Sequence, residues 1–157
     1  MADGLRVTYA SDFSPASLAA FPQALRLAKA TGGELTILHV LLSPASMFTA
    51  GGYVTQDTWD LIEADIRARA YEEMDRLVKR AAEAGLRATP LFVEGGIPAE
   101  EIVRAAEQAK TDMLVLGTHG RTGVMKVLLG SVASRVVATA SCPVLTVRMT
   151  EAVEARS

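Results

Sequence analysis

Short apolar runs alternate with longer helical patterns along this chain, and the alternation limits the folds that it can adopt. The runs with strand character cover residues 5–10, 35–42, 87–93, 112–116 and 144–147. Helical patterns separate them, at residues 15–30, 58–84, 98–109 and 131–140. Strands separated by helices pair in parallel through right-handed crossovers. The sequence therefore predicts an α/β fold, a three-layer sandwich around a five-stranded parallel sheet.

The first strand and the first helix each carry an irregularity. Arg6 and Thr8 interrupt the apolar pattern of the first strand, which we therefore expect to be half exposed. Ser14 followed by Pro15 is a typical helix start. Pro22 removes a backbone hydrogen bond inside the same helical pattern, so we expect a kink or a late start there.

Size and composition indicate one globular domain, residues 1–157. The net charge of −2 gives no electrostatic reason to expect a nucleic-acid partner. The single cysteine, Cys142, excludes an intramolecular disulfide and a multi-cysteine zinc site, as a reducing compartment would favour. The first residues lack a signal-peptide pattern, and no apolar run reaches the roughly 18 residues of a membrane span. We expect a cytoplasmic protein without membrane partners.

A long glycine-rich segment joins the fourth strand to the last helix. Such connections usually run roughly two to six residues, whereas this one contains Gly117, Gly120, Gly123 and Gly130 before Ser131. Glycines let a ligand approach main-chain N–H groups, and a helix start attracts anions through its free N–H groups and its dipole. The pattern G-x2-G-x9-G-S, placed between a strand and a helix, predicts a phosphate-binding loop.

A structural role alone is the alternative for this segment. The glycines would then only permit a tight loop, and Ser131 would only cap its helix. Two other nucleotide motifs are missing from the sequence. No G-x-x-x-x-G-K-[ST] occurs, which excludes a P-loop NTPase by motif, and no G-x-G-x-x-G follows the first strand.

Several segments closely resemble the universal stress proteins. In the C-terminal half they are GTHGRTG at residues 117–123, LLGSVA at 128–133 and CPVL at 142–145. In the N-terminal half, residues 12–14, 38–40 and 96–98 stand where that family has its corresponding segments. The resemblance covers residues 5–148 and implies an adenine-nucleotide alpha-hydrolase-like fold with strand order 3-2-1-4-5. It also implies a homodimer.

The resemblance further implies ATP binding at the glycine motif. The aspartate after the first strand would contact the nucleoside, the end of the second strand would meet adenine, and the glycine loop would hold ribose and phosphates. The candidate binding residues are Ala10, Asp12, Val40, Gly117, Thr118, His119, Gly120, Arg121, Gly130, Ser131 and Val132. Ser131 is also the candidate contact for a nucleotide-bound magnesium ion. Where many members have proline and a small apolar residue before the aspartate, this chain has Ala10 and Ser11.

Topology supports the same location, because ligands of such sheets bind beyond the carboxyl ends of the strands at a topological switch point. With strand order 3-2-1-4-5 that point lies at Asp12 and Gly117. Asp12 could instead serve only the start of the first helix. His119 and Arg121 could face phosphates or water. His39 is expected to hold local hydrogen bonds.

Three functions are compatible with these residues. The leading one is an ATP-binding regulatory protein of the stress response, a homodimer formed through the exposed edge strand 144–147. The second is a slow ATPase, for which Ser131, His119 and Arg121 are available but no acidic pair for magnesium is evident. The third is an interaction module that uses no nucleotide. We assign no catalytic residue.

Overall fold

Parallel strands and helices alternate along the chain in the computed structural model, which describes residues 4–44, 53–119 and 129–149. The elements are β1 (Arg6–Ala10), α1 (Pro15–Leu18), α2 (Phe21–Thr31), β2 (Glu34–Leu41), α3 (Gln56–Glu83), β3 (Ala88–Glu94), α4 (Pro98–Gln108), β4 (Met113–Gly117), α5 (Ser131–Thr139) and β5 (Val144–Val147). The sheet has the order β3-β2-β1-β4-β5, and each neighbouring pair is parallel. The predicted five-stranded parallel sheet in the order 3-2-1-4-5 is confirmed.

Alternate residues of the strands face two apolar cores on opposite sides of the sheet. Val7 and Tyr9 of β1 pack with α2 and α3, whereas Ala10 packs with α4 and α5. Strand residues alternate in this way because successive side chains point to opposite faces. Helices cover both faces, so the predicted three-layer sandwich is confirmed.

β1 lies at the centre of the sheet, between β2 and β4. Residues 7–10 are all buried, and Thr8 is only 2% exposed. Its hydroxyl shares a hydrogen bond of 2.7 Å with the hydroxyl of Thr111. The expectation of a half-exposed first strand was wrong, because a hydroxyl that keeps a hydrogen bond can be buried at little cost.

The first predicted helix consists of two helices. α1 ends at Leu18, and α2 begins at Phe21, which places Pro22 in the first turn of α2. A proline is tolerated there because the first N–H groups of a helix have no intrahelical partner. The irregularity expected at Pro22 is therefore a break and a new start. The predicted cap of α1 is present, since Ser17 N–H donates to Ser14 Oγ at 3.2 Å.

α3 is much longer than the strands it covers. Its 28 residues span roughly 42 Å, and it packs on β2 and β3. Its buried residues, Ala70, Met74, Leu77 and Ala81, all lie in the second half. The first half therefore projects beyond the carboxyl edge of the sheet. No helix among the described residues is both long and apolar enough to cross a lipid bilayer.

Candidate functional site

The connections after β1 and β4 leave the sheet on opposite sides. α2, which follows β1, packs on one face, and α5, which follows β4, packs on the other. Since β1 and β4 are neighbours, their diverging connections open a crevice at the carboxyl edge. A cavity of about 540 Å³ occupies this position.

The structure brings nine of the predicted binding residues to this cavity. These residues are Ala10, Asp12, Val40, Gly117, Thr118, His119, Gly130, Ser131 and Val132. The other two predicted residues, Gly120 and Arg121, lie outside the described residues. Residues separated by more than a hundred positions in the sequence thus line one cavity, as the switch-point argument predicts.

Sequence reasoning missed much of the apolar lining. Apolar residues line the cavity along β2 and its end, α3 and α4. Val40 among them was predicted, and the others were not: Leu38, Leu42, Ile66, Pro98 and Ile102. The polar residues come mainly from the opposite side, after β1, after β4 and at the start of α5. A cavity with one apolar and one polar side suits a ligand that has a flat apolar ring and an anionic group.

Ser11 organises the loop after β1. Its buried Oγ accepts hydrogen bonds from Phe13 N–H at 3.1 Å and from the Ser17 hydroxyl at 2.8 Å. The Tyr9 hydroxyl lies 3.1 Å from the same oxygen and donates to the Ser17 carbonyl at 2.8 Å. Burial raises the pKa of Tyr9 to about 12, so the phenol stays protonated as a donor. The serine in place of an apolar residue before Asp12 was the sequence signal for this network.

The position of Asp12 is compatible with both roles that the sequence left open, support of the helix start and contact with a ligand. Its Oδ1 accepts a hydrogen bond from Ser14 N–H at 3.0 Å, which supports the start of α1. The residue also lines the cavity. A carboxylate has acceptor sites on two oxygens, so a cap contact does not exclude a ligand contact.

His39 fixes the same loop from β2. Its Nδ1 lies 2.7 Å from the carbonyl oxygen of Ser11, and since a carbonyl only accepts, Nδ1 carries the proton. The ring stacks on Phe13 with centroids 4.4 Å apart. Phe13 has a φ of 61°, a left-handed conformation that costs roughly 1–2 kcal/mol for a residue with a Cβ. The hydrogen bonding expected for His39 is found, and it helps to hold a strained residue beside Asp12.

Gly117 ends β4 where α1 crosses the sheet. A Cβ at this position would lie 2.7 Å from the carbonyl oxygen of Ala16 and 3.1 Å from Cα of Ser17. Real Cβ atoms essentially never come as close as 2.7 Å to a backbone atom, so the backbone of α1 would have to shift. Packing against α1 therefore requires glycine at position 117, in addition to any role of this glycine in ligand approach. The sequence pattern did not reveal this requirement.

Gly130 caps the start of α5. Its φ of −68° and ψ of 165° are open to every residue type, and its N–H donates to the Thr118 carbonyl at 2.6 Å. Ser131 and Val132, which follow, line the cavity. The first N–H groups of a helix lack intrahelical partners, and the first turn of α5 carries no acidic side chain. This end of the cavity therefore has a positive potential.

The remaining titratable candidates have simple local partners. His119 Nδ1 lies 3.0 Å from the Thr118 hydroxyl, at the polar side of the cavity. Burial raises the pKa of the Cys142 thiol, which lowers its nucleophilicity at neutral pH. Within the described parts of the chain, no three or more His, Cys, Asp or Glu residues are grouped closely enough to hold a metal ion.

Comparison with known proteins agrees with the fold. The family model described as the universal stress protein family matches residues 5–148. A universal stress protein of Methanocaldococcus jannaschii is 36% identical over 143 residues, which cover 91% of this chain and 81% of that protein.

Solved structures resemble the chain over nearly its whole length. One, a second protein of M. jannaschii, has a TM-score of 0.81 and 26% identity, and the match covers 93% of this chain and 96% of that one. Another, a universal stress protein in complex with cAMP, has a TM-score of 0.68 and 25% identity, covering 95% of this chain and 100% of that one. With family match, relatives and fold in agreement, this chain belongs to the universal stress protein family.

Proposed function

We propose that this protein binds an adenine nucleotide, preferably ATP, in the cavity between the ends of β1 and β4. The observation that carries the proposal is that the cavity gathers nine of the residues predicted for nucleotide binding. We further propose that it acts as a single-domain regulatory protein of the stress response in the cytoplasm, without a nucleic-acid or membrane partner. Family membership supports the link to stress.

Size and chemistry of the cavity support a nucleotide. Its volume of about 540 Å³ lies within the usual range for small-molecule sites, roughly 300–1,000 Å³. The apolar side fits a purine ring, and the start of α5 fits phosphate oxygens. Asp12, which lines the same cavity, fits the ribose hydroxyls. The relative solved with cAMP supports an adenine nucleotide as the ligand class.

Equilibrium binding of ATP to the purified chain tests this proposal. Gly130→Val adds a branched side chain at the helix start, in a backbone conformation that valine adopts without strain. We expect the variant to bind ATP at least about tenfold more weakly, which corresponds to about 1.4 kcal/mol. Ala138→Val on the exposed side of α5 is the matched control. Equal affinity in all three proteins would refute the assigned site.

Binding, rather than rapid turnover, is the proposed activity. Phosphoryl transfer needs a metal ion and a positioned water molecule. Asp12 is the only carboxylate among the described residues that line the cavity. We propose that Ser131 contacts a nucleotide-bound magnesium ion through its hydroxyl. Phosphate release that keeps a constant rate per protein through successive purification steps would favour the slow ATPase instead.

We also propose that the protein forms a homodimer through β5, the edge strand of the sheet. Leu145 on this strand and Val137 on α5 are exposed apolar residues, and an open apolar edge favours pairing with a second copy. Leu145→Lys should shift the molecular mass measured by light scattering toward the monomer, while Leu61→Lys on α3 should not. A wild-type mass of one chain would refute the dimer.

A further inference from the structure

The apolar stripe of α3 continues past the sheet and reaches the cavity. Ile62, Ile66 and Ala70 follow one another at helical spacing, but burial is complete only from Ala70 onward. Ile66 is half-buried and lines the cavity. The sheet ends at about this level of α3, and the apolar surface of Ile66 faces the space that a ligand would fill. The projecting half of α3 thus forms one wall of the site.

Arg67 connects this projecting wall to the sheet. Its Nη1 donates to Oε1 of Glu94, the last residue of β3, at 2.6 Å. Its Nη2 and Nε donate to Glu63, one turn earlier on α3, at 3.0 and 3.2 Å. Glu63 and Arg67 belong to the same helix, so only the contact with Glu94 joins two elements. Arg67 follows Ile66 directly in the sequence, and its contact with Glu94 lies at the level where β3 ends.

A second contact between α3 and β3 lies one turn further along the helix. The ring of Tyr71 packs on Phe92, with centroids 4.5 Å apart. The rings of Phe92 and His39 are nearly perpendicular, with centroids 6.2 Å apart. His39 in turn holds the loop that bears Asp12. Tyr71 and Phe92 fix the base of the projecting half, and Arg67 joins it to β3 one turn closer to the start of the helix. Loss of the contact between Arg67 and Glu94 would loosen the helix above Tyr71 while leaving its buried half in place.

We propose that Arg67 is a positioning residue for ligand binding. Through Glu94 it holds the first half of α3 so that Ile66 closes the apolar side of the cavity over the base of the nucleotide. The inference rests on the proposed function, because it assumes a ligand with an apolar ring. Arg67 itself is not among the residues that line the cavity.

A simple charge effect of Arg67 is the competing explanation. The two explanations predict opposite changes in ATP affinity when Glu94 loses its charge. If Arg67 acted only by attracting phosphates, removal of the negative charge of Glu94 would strengthen binding of an anionic nucleotide. If Glu94 acts as the anchor of Arg67, the same change weakens binding. A charge effect would leave the affinity for adenosine unchanged, because adenosine carries no phosphate. Loss of the anchored wall would lower the affinities for adenosine and for ATP alike.

Glu94→Gln is the decisive variant, and Glu63→Gln is its matched control. Both remove one negative charge beside Arg67, but only the first weakens the link between α3 and β3, because the neutral amide of glutamine accepts a weaker hydrogen bond from Arg67. We expect Glu94→Gln and Arg67→Met to bind ATP and adenosine roughly three- to tenfold more weakly, as loss of part of the burial of one isoleucine would give. Glu63→Gln should stay within about twofold of the wild type. Arg67→Lys, which keeps one donor, should recover part of the loss.

Kinetics and stability separate positioning from general damage. In Glu94→Gln and Arg67→Met, the dissociation rate of the nucleotide should rise while the association rate stays nearly constant. The reason is that a more mobile α3 covers the bound ligand less firmly. Thermal midpoints should change little, since all three side chains are exposed or half-exposed. Equal or tighter binding by Glu94→Gln in a protein whose wild type binds ATP would overturn this inference alone. A wild type that binds no adenine nucleotide would overturn the proposed function as well.

Discussion

Gly117 and Gly130 stand at the two ends of the segment that joins β4 to α5. At Gly117 a Cβ would meet the carbonyl oxygen of Ala16, whereas Gly130 has backbone angles open to any residue. Position in a motif therefore does not tell which glycine is required by packing and which is left bare for a ligand. Substitution by alanine separates the two reasons.

Gly117→Ala is expected to lower the free energy of unfolding by about 1–3 kcal/mol, because α1 must move away from β4 to admit the methyl group. Urea unfolding monitored by circular dichroism measures the loss. Gly130→Ala, the control, is expected to change the unfolding free energy by less than about 1 kcal/mol while weakening ATP binding. Equal destabilisation of the two variants would contradict the packing argument.

The sequence marks Ser11 as a departure from the family pattern, and the structure shows what its side chain does. Ser11→Ala removes the acceptor shared by Phe13 N–H and the Ser17 hydroxyl, and leaving buried donors unsatisfied costs about 1–3 kcal/mol. We expect this loss in urea unfolding, together with weaker ATP binding because the loop bearing Asp12 loosens. Ser14→Ala, which removes a cap of the same α1, is the comparison. Unchanged ATP affinity in Ser11→Ala would show that the network does not position Asp12.

At the scale of elements, periodicity predicted the strands and the helices, including the long helix α3. The strand order followed from the resemblance to the universal stress proteins, and the sheet has that order. One expectation for the N-terminal region needed correction, because the burial of Thr8 depends on a partner elsewhere in the chain. The contacts of Thr8 with Thr111 and of Arg67 with Glu94 join positions far apart in the sequence. No local pattern contains that information, and for the same reason Ile66 and Pro98 were missed as cavity residues.

β1 and β4 are held together at their amino ends by Arg6 and Asp112. The Arg6 guanidinium donates to both carboxylate oxygens at 2.8 and 2.9 Å, and the Arg6 backbone N–H donates at 2.9 Å. These hydrogen bonds hold the pKa of Asp112 at about 2, below the roughly 3.9 of an unfolded chain. A lowered pKa stabilises the fold at a pH above the unfolded value, and the contribution is lost as the pH falls toward 2.

Asp112→Asn should therefore lower the thermal midpoint at pH 7, and the difference from the wild type should shrink steadily between pH 4 and pH 2. Differential scanning calorimetry across this range measures both proteins. Asp75→Asn, which removes an exposed carboxylate paired with Lys79 inside α3, controls for the change in net charge. A difference that stays constant or grows on acidification would contradict the assigned cause.

At the scale of the whole molecule, the cavity joins parts of the chain that otherwise belong to separate layers. Its lining comes from β1, β2 and β4, from α4 and α5 on one face, and from α3 on the other. A ligand that contacts all of them adds links between the layers that the sheet alone does not provide. Binding should therefore stabilise the fold as one unit, rather than only the segment around α5.

Saturating ATP is expected to raise the thermal midpoint of the whole domain in a single transition. A ligand that binds only the folded state stabilises it by RT ln(1 + [L]/Kd), about 2.7 kcal/mol at a hundred times the Kd. Such a gain raises the midpoint of a domain of this size by roughly 5–11 °C. Gly130→Val should show a much smaller shift at the same ATP concentration, whereas Ala138→Val should match the wild type. Two separate transitions, with only one moved by ATP, would show that the nucleotide does not bridge the layers.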